Sequence, residues 1–125
     1  MIISTGIDIV EVYRIRETMT RTPRFATRVF TAGEREYCDS KKVAAVQSYA
    51  ARFAAKEAFL KAIRTGWRGK VSWHDIEIMR DEAGMPSLHA TGEAKRLFAE
   101  LGGKHIHLSL SHTAEHAIAQ VIIEA

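Results

Sequence analysis

Ala55-Lys56-Glu57-Ala58-Phe59-Leu60-Lys61 lies inside a stretch, Lys42 to Thr65, that contains neither Gly nor Pro. That run predicts one long helix from about Val43 to Arg64, with Gly66 as its C-terminal stop. At 100° per residue, one arc of the helix carries Val46, Tyr49, Ala50, Phe53 and Leu60. Glu57 falls in the middle of that arc, and Lys61 is one turn on, near its edge. A carboxylate buried among apolar side chains is costly unless a cation or donors satisfy it. Glu57 therefore needs a partner. Either Lys61 supplies an i,i+4 ion pair, or the carboxylate holds a metal with Lys61 beside it.

The N-terminus poses the same question. Met1-Ile-Ile-Ser-Thr-Gly-Ile-Asp8-Ile-Val10 is β-branched and apolar, which predicts a strand over 2–9. Alternation puts Asp8 on one face with Ile2, Ser4, Gly6 and Val10. Gly6 leaves room on that face for another backbone or a ligand. Asp8 is either a strand-end cap for the following helix or a used carboxylate. Two misplaced carboxylates and one lysine suggest a common purpose, since two carboxylates with phosphate oxygens and water are how proteins usually hold Mg²⁺.

The 125 residues suffice for one domain with one core. Apolar residues at 46% and charged residues at 26% are ordinary for a globular chain. The single cysteine, Cys38, excludes an internal disulfide framework, fits a reducing compartment, and reads as a half-buried helix residue. No apolar run reaches a membrane span, and the N-terminus lacks a basic signal-peptide region. The expectation is a soluble, cytoplasmic protein that does not engage membranes.

Net charge is only +3, but it is unevenly spread. Arg14, Arg16, Arg21, Arg24 and Arg28 fall between Tyr13 and Phe30, with Glu17 the only acid among them. Arg14, Arg21, Arg24 and Arg28 would align on one helical face, approximately, because Pro23 predicts a break near Thr22. Such a face is either solvated or a dock for an acidic partner. The lack of interleaved aromatics argues mildly against single-stranded nucleic acid.

The remaining elements follow from local signals. Residues 10–21 read as a helix with Val10, Tyr13 and Met19 inward, and 23–29 as a short helical piece. Thr31-Ala-Gly-Glu34 has capping-box form and opens a helix to about Asp39. Residues 74–80 and 86–90 form a hairpin across an Asp81-Glu-Ala-Gly84-Met-Pro86 turn. Thr91 caps a helix to about Leu101, ended by Gly102-Gly103. Residues 105–111 and 116–123 form a second hairpin. Helices and strands segregate, which predicts an α+β single domain over 1–125.

Other constellations are weaker. Ser111 and His112 are adjacent on a strand, point to opposite faces, and so are badly placed to share a proton. With Thr113 they suit a phosphate or a base better. His105 and His107 share a face, but no further ligand at zinc spacing completes a site. Thr65-Gly66-Trp67-Arg68-Gly69-Lys70 lacks Walker spacing, although small residues beside Arg64, Arg68 and Lys70 suit a polyphosphate edge.

Together the motifs resemble a known family. Gly6-Ile-Asp8-Ile-Val-Glu-Val-Tyr-Arg14, Phe30-Thr31-x-x-Glu34, Arg52-Phe-Ala-Ala-Lys56-Glu57-Ala-x-x-Lys61, Val71-Ser-Trp73-x-Asp75-Ile-Glu77-Ile and Leu108-Ser-Leu-Ser111-His112-Thr113 are similar to the short, bacterial-type branch of the 4′-phosphopantetheinyl transferases. The likeness covers essentially the whole chain. It implies transfer of the phosphopantetheine arm of coenzyme A to a serine of apo acyl carrier protein, in support of fatty acid biosynthesis, with Mg²⁺ required and adenosine 3′,5′-bisphosphate released. By this resemblance Asp8 and Glu57 are the metal carboxylates and Lys61 meets the diphosphate. Arg52, Ser111, His112 and Thr113 contact the 3′-phosphate and adenine, with Gly66 in the loop that approaches coenzyme A. Arg14, Arg21, Arg24 and Arg28 receive the acidic carrier protein, no nucleic acid is bound, and the assembly is a homotrimer. One departure stands out: Arg64 replaces the first glycine of the family's Gly-Thr-Gly turn.

This chemistry agrees with the residues. Phosphoryl-type transfer asks a protein mainly for positioning and charge neutralisation. The attacking serine belongs to the partner, and its proton goes to Glu57, Asp8 or a metal-bound water. Two rivals use the same residues: a Mg²⁺-dependent phosphohydrolase or nuclease, which calls for more acidic ligands, and a basic nucleic-acid-binding module, which leaves Asp8 and Glu57 unexplained.

Overall fold

The structure is a computed structural model, and it describes residues 1–64 and 70–125. The element order is β1 (Ile2–Glu11), α1 (Val12–Arg21), α2 (Phe25–Val29), α3 (Ala32–Asp39), α4 (Ala45–Ala62), β2 (Ile76–Arg80), β3 (Pro86–Ala90), α5 (Gly92–Glu100), β4 (His105–His112) and β5 (His116–Glu124). Short 3₁₀ turns over Lys42–Ala44 and Trp73–Asp75 precede α4 and β2. The α+β expectation and both hairpins are met. One long-range pairing had no local signal: β1 runs antiparallel to β5, giving a sheet of order β1-β5-β4 beside the β2-β3 hairpin.

Helix α4 is the axis of the molecule and differs from the expected one-sided helix. It is buried on nearly all sides, because seven of its 18 residues are alanines that let neighbouring elements approach its backbone. Its Phe59 and Leu60 join Ile76, Val121 and Ile123 in one core. Its Tyr49, Ala50 and Ala51 join Val12, Ile15, Val29 and Phe30 in a second. The α-helix begins at Ala45 rather than Val43, after Lys42 turns with φ 53°. It ends at Ala62, and Arg64, at φ 63°, takes the left-handed conformation that ends many helices. The expected stop at Gly66, and the Thr65–Gly69 part of the polyphosphate edge, lie outside the described residues.

Strand β1 is longer than expected, and Val10 belongs to it rather than to α1. Helix α1 therefore buries Val12 and Ile15, and Tyr13 is turned outward. A register shift between Ile2 and Ser4 puts Ile2 out of phase and leaves it exposed. Ser4, Gly6, Asp8 and Val10 keep the inward face. There Gly6 meets α4 so closely that an added Cβ would lie 2.0 Å from the Ala58 carbonyl oxygen. The hydroxyl of Ser4 donates to the Ala62 carbonyl at 2.6 Å and fixes the same contact one turn further on.

Two cap signals have different outcomes. Thr31 and Glu34 form the expected capping box on α3. Thr91 occupies the N-cap of α5, but its hydroxyl turns to the Asp75 carbonyl instead of capping. Cys38, expected to be half-buried, is wholly buried on α3, where burial pushes its thiol pKa up.

Candidate functional site

The β1–α4 contact places the two elements that carry the candidate carboxylates. Asp8 is two residues beyond Gly6 on the inward face, so it meets α4 near Ala58 and Lys61. The Lys61 ammonium donates to Asp8 Oδ1 and to the Ile7 carbonyl, both at 2.9 Å. The sequence offered Glu57 as the ion-pair partner of Lys61. In the structure Lys61 reaches across to the strand instead, because β1 approaches α4 at backbone distance.

Asp8 is part of two adjoining concavities. One is a groove of about 700 Å³ lined by Asp8, Glu57, Arg14, Phe25, Phe53 and His116 among others. The other is a small recess between Asp8, Ile7, Ile9, Lys61 and Ile118. Asp8, Glu57 and Lys61 therefore gather around one strand–helix junction. The groove floor is apolar, formed where Phe53 packs on Phe25 and on Trp73 with ring centroids 5.9 and 5.4 Å apart.

A second cavity, of about 550 Å³, brings Arg52, Ser111 and His112 together with Tyr37, Lys41 and Arg80. Arg52 is only 2% exposed, donates to Ser48 Oγ at 3.3 Å, and leaves its buried Nε without a partner. The guanidinium groups of Arg52 and Arg80 and the ammonium of Lys41 all stand over the Tyr37 ring, 4.1, 5.1 and 4.7 Å from its centroid. A cation-rich pocket with an unsatisfied buried donor is suited to an anion. Thr113 follows His112, and its hydroxyl accepts from the Glu115 and His116 amides and closes the β4–β5 turn.

The basic residues Arg14, Arg21, Arg24 and Arg28 are all exposed on α1, α2 and the turn between them. The chain does break at Thr22. Arg14 pairs with Glu11 at 3.1 Å on the groove rim, which joins this basic surface to the carboxylates.

The most deeply buried charges among the described residues were not foreseen. Lys56 is 0% exposed and Glu34 is 1% exposed, with Lys56 Nζ 2.8 Å from Glu34 Oε1. Nζ also approaches the carbonyls of Val29, Trp73 and Ile76 at 2.9, 3.1 and 2.6 Å. Glu34 in turn accepts from the Thr31 and Ile78 amides at 2.8 and 2.7 Å. Burial drives the Lys56 pKa down, and the Glu34 carboxylate opposes that shift. The signal was present in the sequence: Phe59 and Ile63 widen the apolar arc until Lys56 lies inside it as well as Glu57.

Carboxylates beside a lysine, and a separate cation-rich pocket, are chemistry suited to phosphate groups. The comparisons with known proteins make the class specific. The profile of the 4′-phosphopantetheinyl transferase superfamily matches residues 4–121. A holo-[acyl-carrier-protein] synthase of Koribacter versatilis (strain Ellin345) is 51% identical over 125 residues, covering 99% of each chain. The crystal structure of the Neisseria meningitidis holo-[acyl-carrier-protein] synthase superimposes with a TM-score of 0.87 at 36% identity over 100% of both chains. That of the Bacillus anthracis str. Ames synthase in complex with CoA (3′,5′-ADP) gives 0.82 at 38% identity, covering 100% of this chain and 98% of that one. The chain belongs to the 4′-phosphopantetheinyl transferase superfamily, in its holo-[acyl-carrier-protein] synthase branch.

Proposed function

We propose that residues 1–125 act as one transferase domain that moves the 4′-phosphopantetheine arm of coenzyme A onto a serine of apo acyl carrier protein and releases adenosine 3′,5′-bisphosphate. The observation that carries this reading is the Asp8–Lys61 pair at the rim of the groove that Glu57 also lines. Asp8 and Glu57 fit Mg²⁺: they offer hard oxygen donors on one groove, and such an ion commonly takes one or two carboxylates with substrate phosphates and water. When bound, Mg²⁺ supplies charge neutralisation at the diphosphate.

The protein's own groups do the rest. Lys61 is a fixed cation for the diphosphate, half exposed and aimed by Asp8. Arg52 offers its unpartnered Nε to the 3′-phosphate, and Ser111 and His112 flank the adenine. Asp8 and Glu57 are the groove carboxylates able to take the proton of the attacking serine. Arg14, Arg21, Arg24 and Arg28 hold the acidic carrier protein over the groove. A phosphohydrolase built on the same carboxylates calls for more acidic ligands. Among the described residues no cluster of three His, Cys, Asp or Glu is able to hold an ion.

The assembly is read as a homotrimer from the family likeness, and the outer face of the β1-β5-β4 sheet supports association of copies. Ile7 and Ile9 are 55% and 63% exposed there, beside Ile118, and apolar sheet faces of this kind are covered in assemblies. Among the described residues no helix is long and apolar enough to cross a membrane. A cytoplasmic role in fatty acid biosynthesis follows from the proposed substrates. Mass spectrometry of apo acyl carrier protein incubated with this protein, coenzyme A and Mg²⁺ tests the reading. A phosphopantetheine adduct is the expected result, and an unmodified carrier protein overturns it.

A further inference from the structure

Helix α4 is anchored by Tyr49, Phe53, Phe59 and Leu60, but where its alanines meet a neighbour the surface has few ridges to resist rotation or sliding along the axis. The polar contacts of Lys56 add directional constraints to that packing. Its ammonium is gripped by the end of α2 through Val29, by the turn before β2 through Trp73, by β2 through Ile76, and by α3 through Glu34. Glu34 closes the frame, since it also caps α3 and holds the Ile78 amide. Four elements thus converge on one side chain, next in sequence to Glu57. Arg52, one turn earlier, shares the face of Lys56. Lys61, one turn after Glu57, shares the face of Glu57.

We infer that Lys56 is a positioning residue for the transfer, its buried contact with Glu34 and three carbonyls setting the rotation of α4 so that Glu57 and Lys61 face β1 while Arg52 faces the cationic pocket. Lys56 touches no substrate in this account. It acts through the helix that carries both halves of the site. A buried ion pair is by itself poor support for stability, because an apolar pair of similar volume often serves as well. The two charges are retained here for alignment. The inference rests on the transfer reading above.

The test compares wild type with Glu34→Gln and with the double variant Lys56→Met/Glu34→Gln, which removes both buried charges and leaves neither unpaired. Each is assayed below its own melting temperature. Measurements are kcat, the KM for carrier protein, the coenzyme A Kd by calorimetry, and the backbone amide resonances of Asp8, Glu57 and Lys61. The expected result is a folded double variant with kcat down about 10²-fold, as for small misplacements of reacting groups. Its coenzyme A affinity is weaker, its amide resonances at Glu57 and Lys61 are shifted, and its KM for carrier protein is unchanged. Glu34→Gln shows the same pattern in weaker form. A folded double variant with wild-type kcat and Kd overturns the inference. So does an unfolded double variant beside an unaltered Glu34→Gln, and so does failure of both to fold, since the pair is then scaffold alone. Absence of transfer by wild type is a distinct outcome and overturns the functional reading instead.

Discussion

The Cα of Gly6 sits so close to the carbonyl oxygen of Ala58 that a methyl group at Gly6 would lie 2.0 Å from it, and 2.9 Å from the Ala62 nitrogen. Neither neighbour is able to yield, because both are helix backbone. This contact sets the distance between the strand that carries Asp8 and the helix that carries Glu57 and Lys61. Gly6→Ala is expected to destabilise the fold by about 1–3 kcal/mol or more, the usual range for overpacking. It should also lower turnover per folded molecule by displacing Asp8. Urea unfolding and single-turnover rates on the same samples check both. Wild-type stability in Gly6→Ala contradicts the contact.

Asp8→Asn and Glu57→Gln keep side-chain shape and remove charge. Transfer is expected to fall by about 10²-fold or more in each, the scale of losing a major electrostatic interaction. The assay is run at limiting Mg²⁺, where a weakened site shows most. Near-normal rates for both variants in that regime would remove these carboxylates from the site.

Lys61 divides two roles cleanly. Its side chain is 53% exposed, so its pair with Asp8 contributes little to stability, about 0–1 kcal/mol. Lys61→Met is expected to melt close to wild type and to lose coenzyme A affinity or turnover. A stability loss with normal kinetics makes the lysine a structural partner only.

The arginine surface should behave additively, because exposed charges are individually weak. Charge reversal at two of Arg14, Arg21, Arg24 and Arg28 is expected to raise the KM for carrier protein, mainly through slower association, and to leave the KM for coenzyme A alone. The defect should be greatest at low ionic strength and shrink as salt screens it. An unchanged KM for carrier protein in low salt, with tight competing binding of nucleic acid, favours the basic-module reading.

Tyr49 gives a pH signature. Burial raises its phenol pKa above the ordinary 10.0, aided by the hydrogen bond it donates to Asp39 at 2.7 Å. The folded state then keeps a proton that the unfolded state releases. Stability from this group is present below about pH 10 and falls as the pH rises further. Tyr49→Phe should remove that share of the alkaline decline. Denaturation midpoints of wild type and variant across the alkaline range measure the difference, and parallel curves refute it.

What the sequence disclosed and what it withheld have physical causes. The Thr31–Glu34 capping box and both hairpins are written in local spacing, and they formed as read. The pairing of β1 with β5 joins the two ends of the chain and leaves no local mark. Asp8 and Lys61 were both noticeable as charges out of place, but their mutual contact depends on the equally long-range packing of β1 on α4. Lys56 escaped because the apolar arc was drawn from one side of a helix that is buried on nearly every side. Arg64 was legible only as a departure from the family's glycine. Its φ of 63° now shows that it takes a conformation in which a side chain is disfavoured by roughly 1–2 kcal/mol.

The alanine surface of α4 also bears on how such a chain diverges. Neighbours packed against bare backbone leave almost no room for a larger side chain at the buried alanines of this helix. The arginines of α1 and α2 are exposed, so a change there leaves that packing intact. A lineage built this way is able to change which carrier protein it greets without disturbing the junction where chemistry occurs.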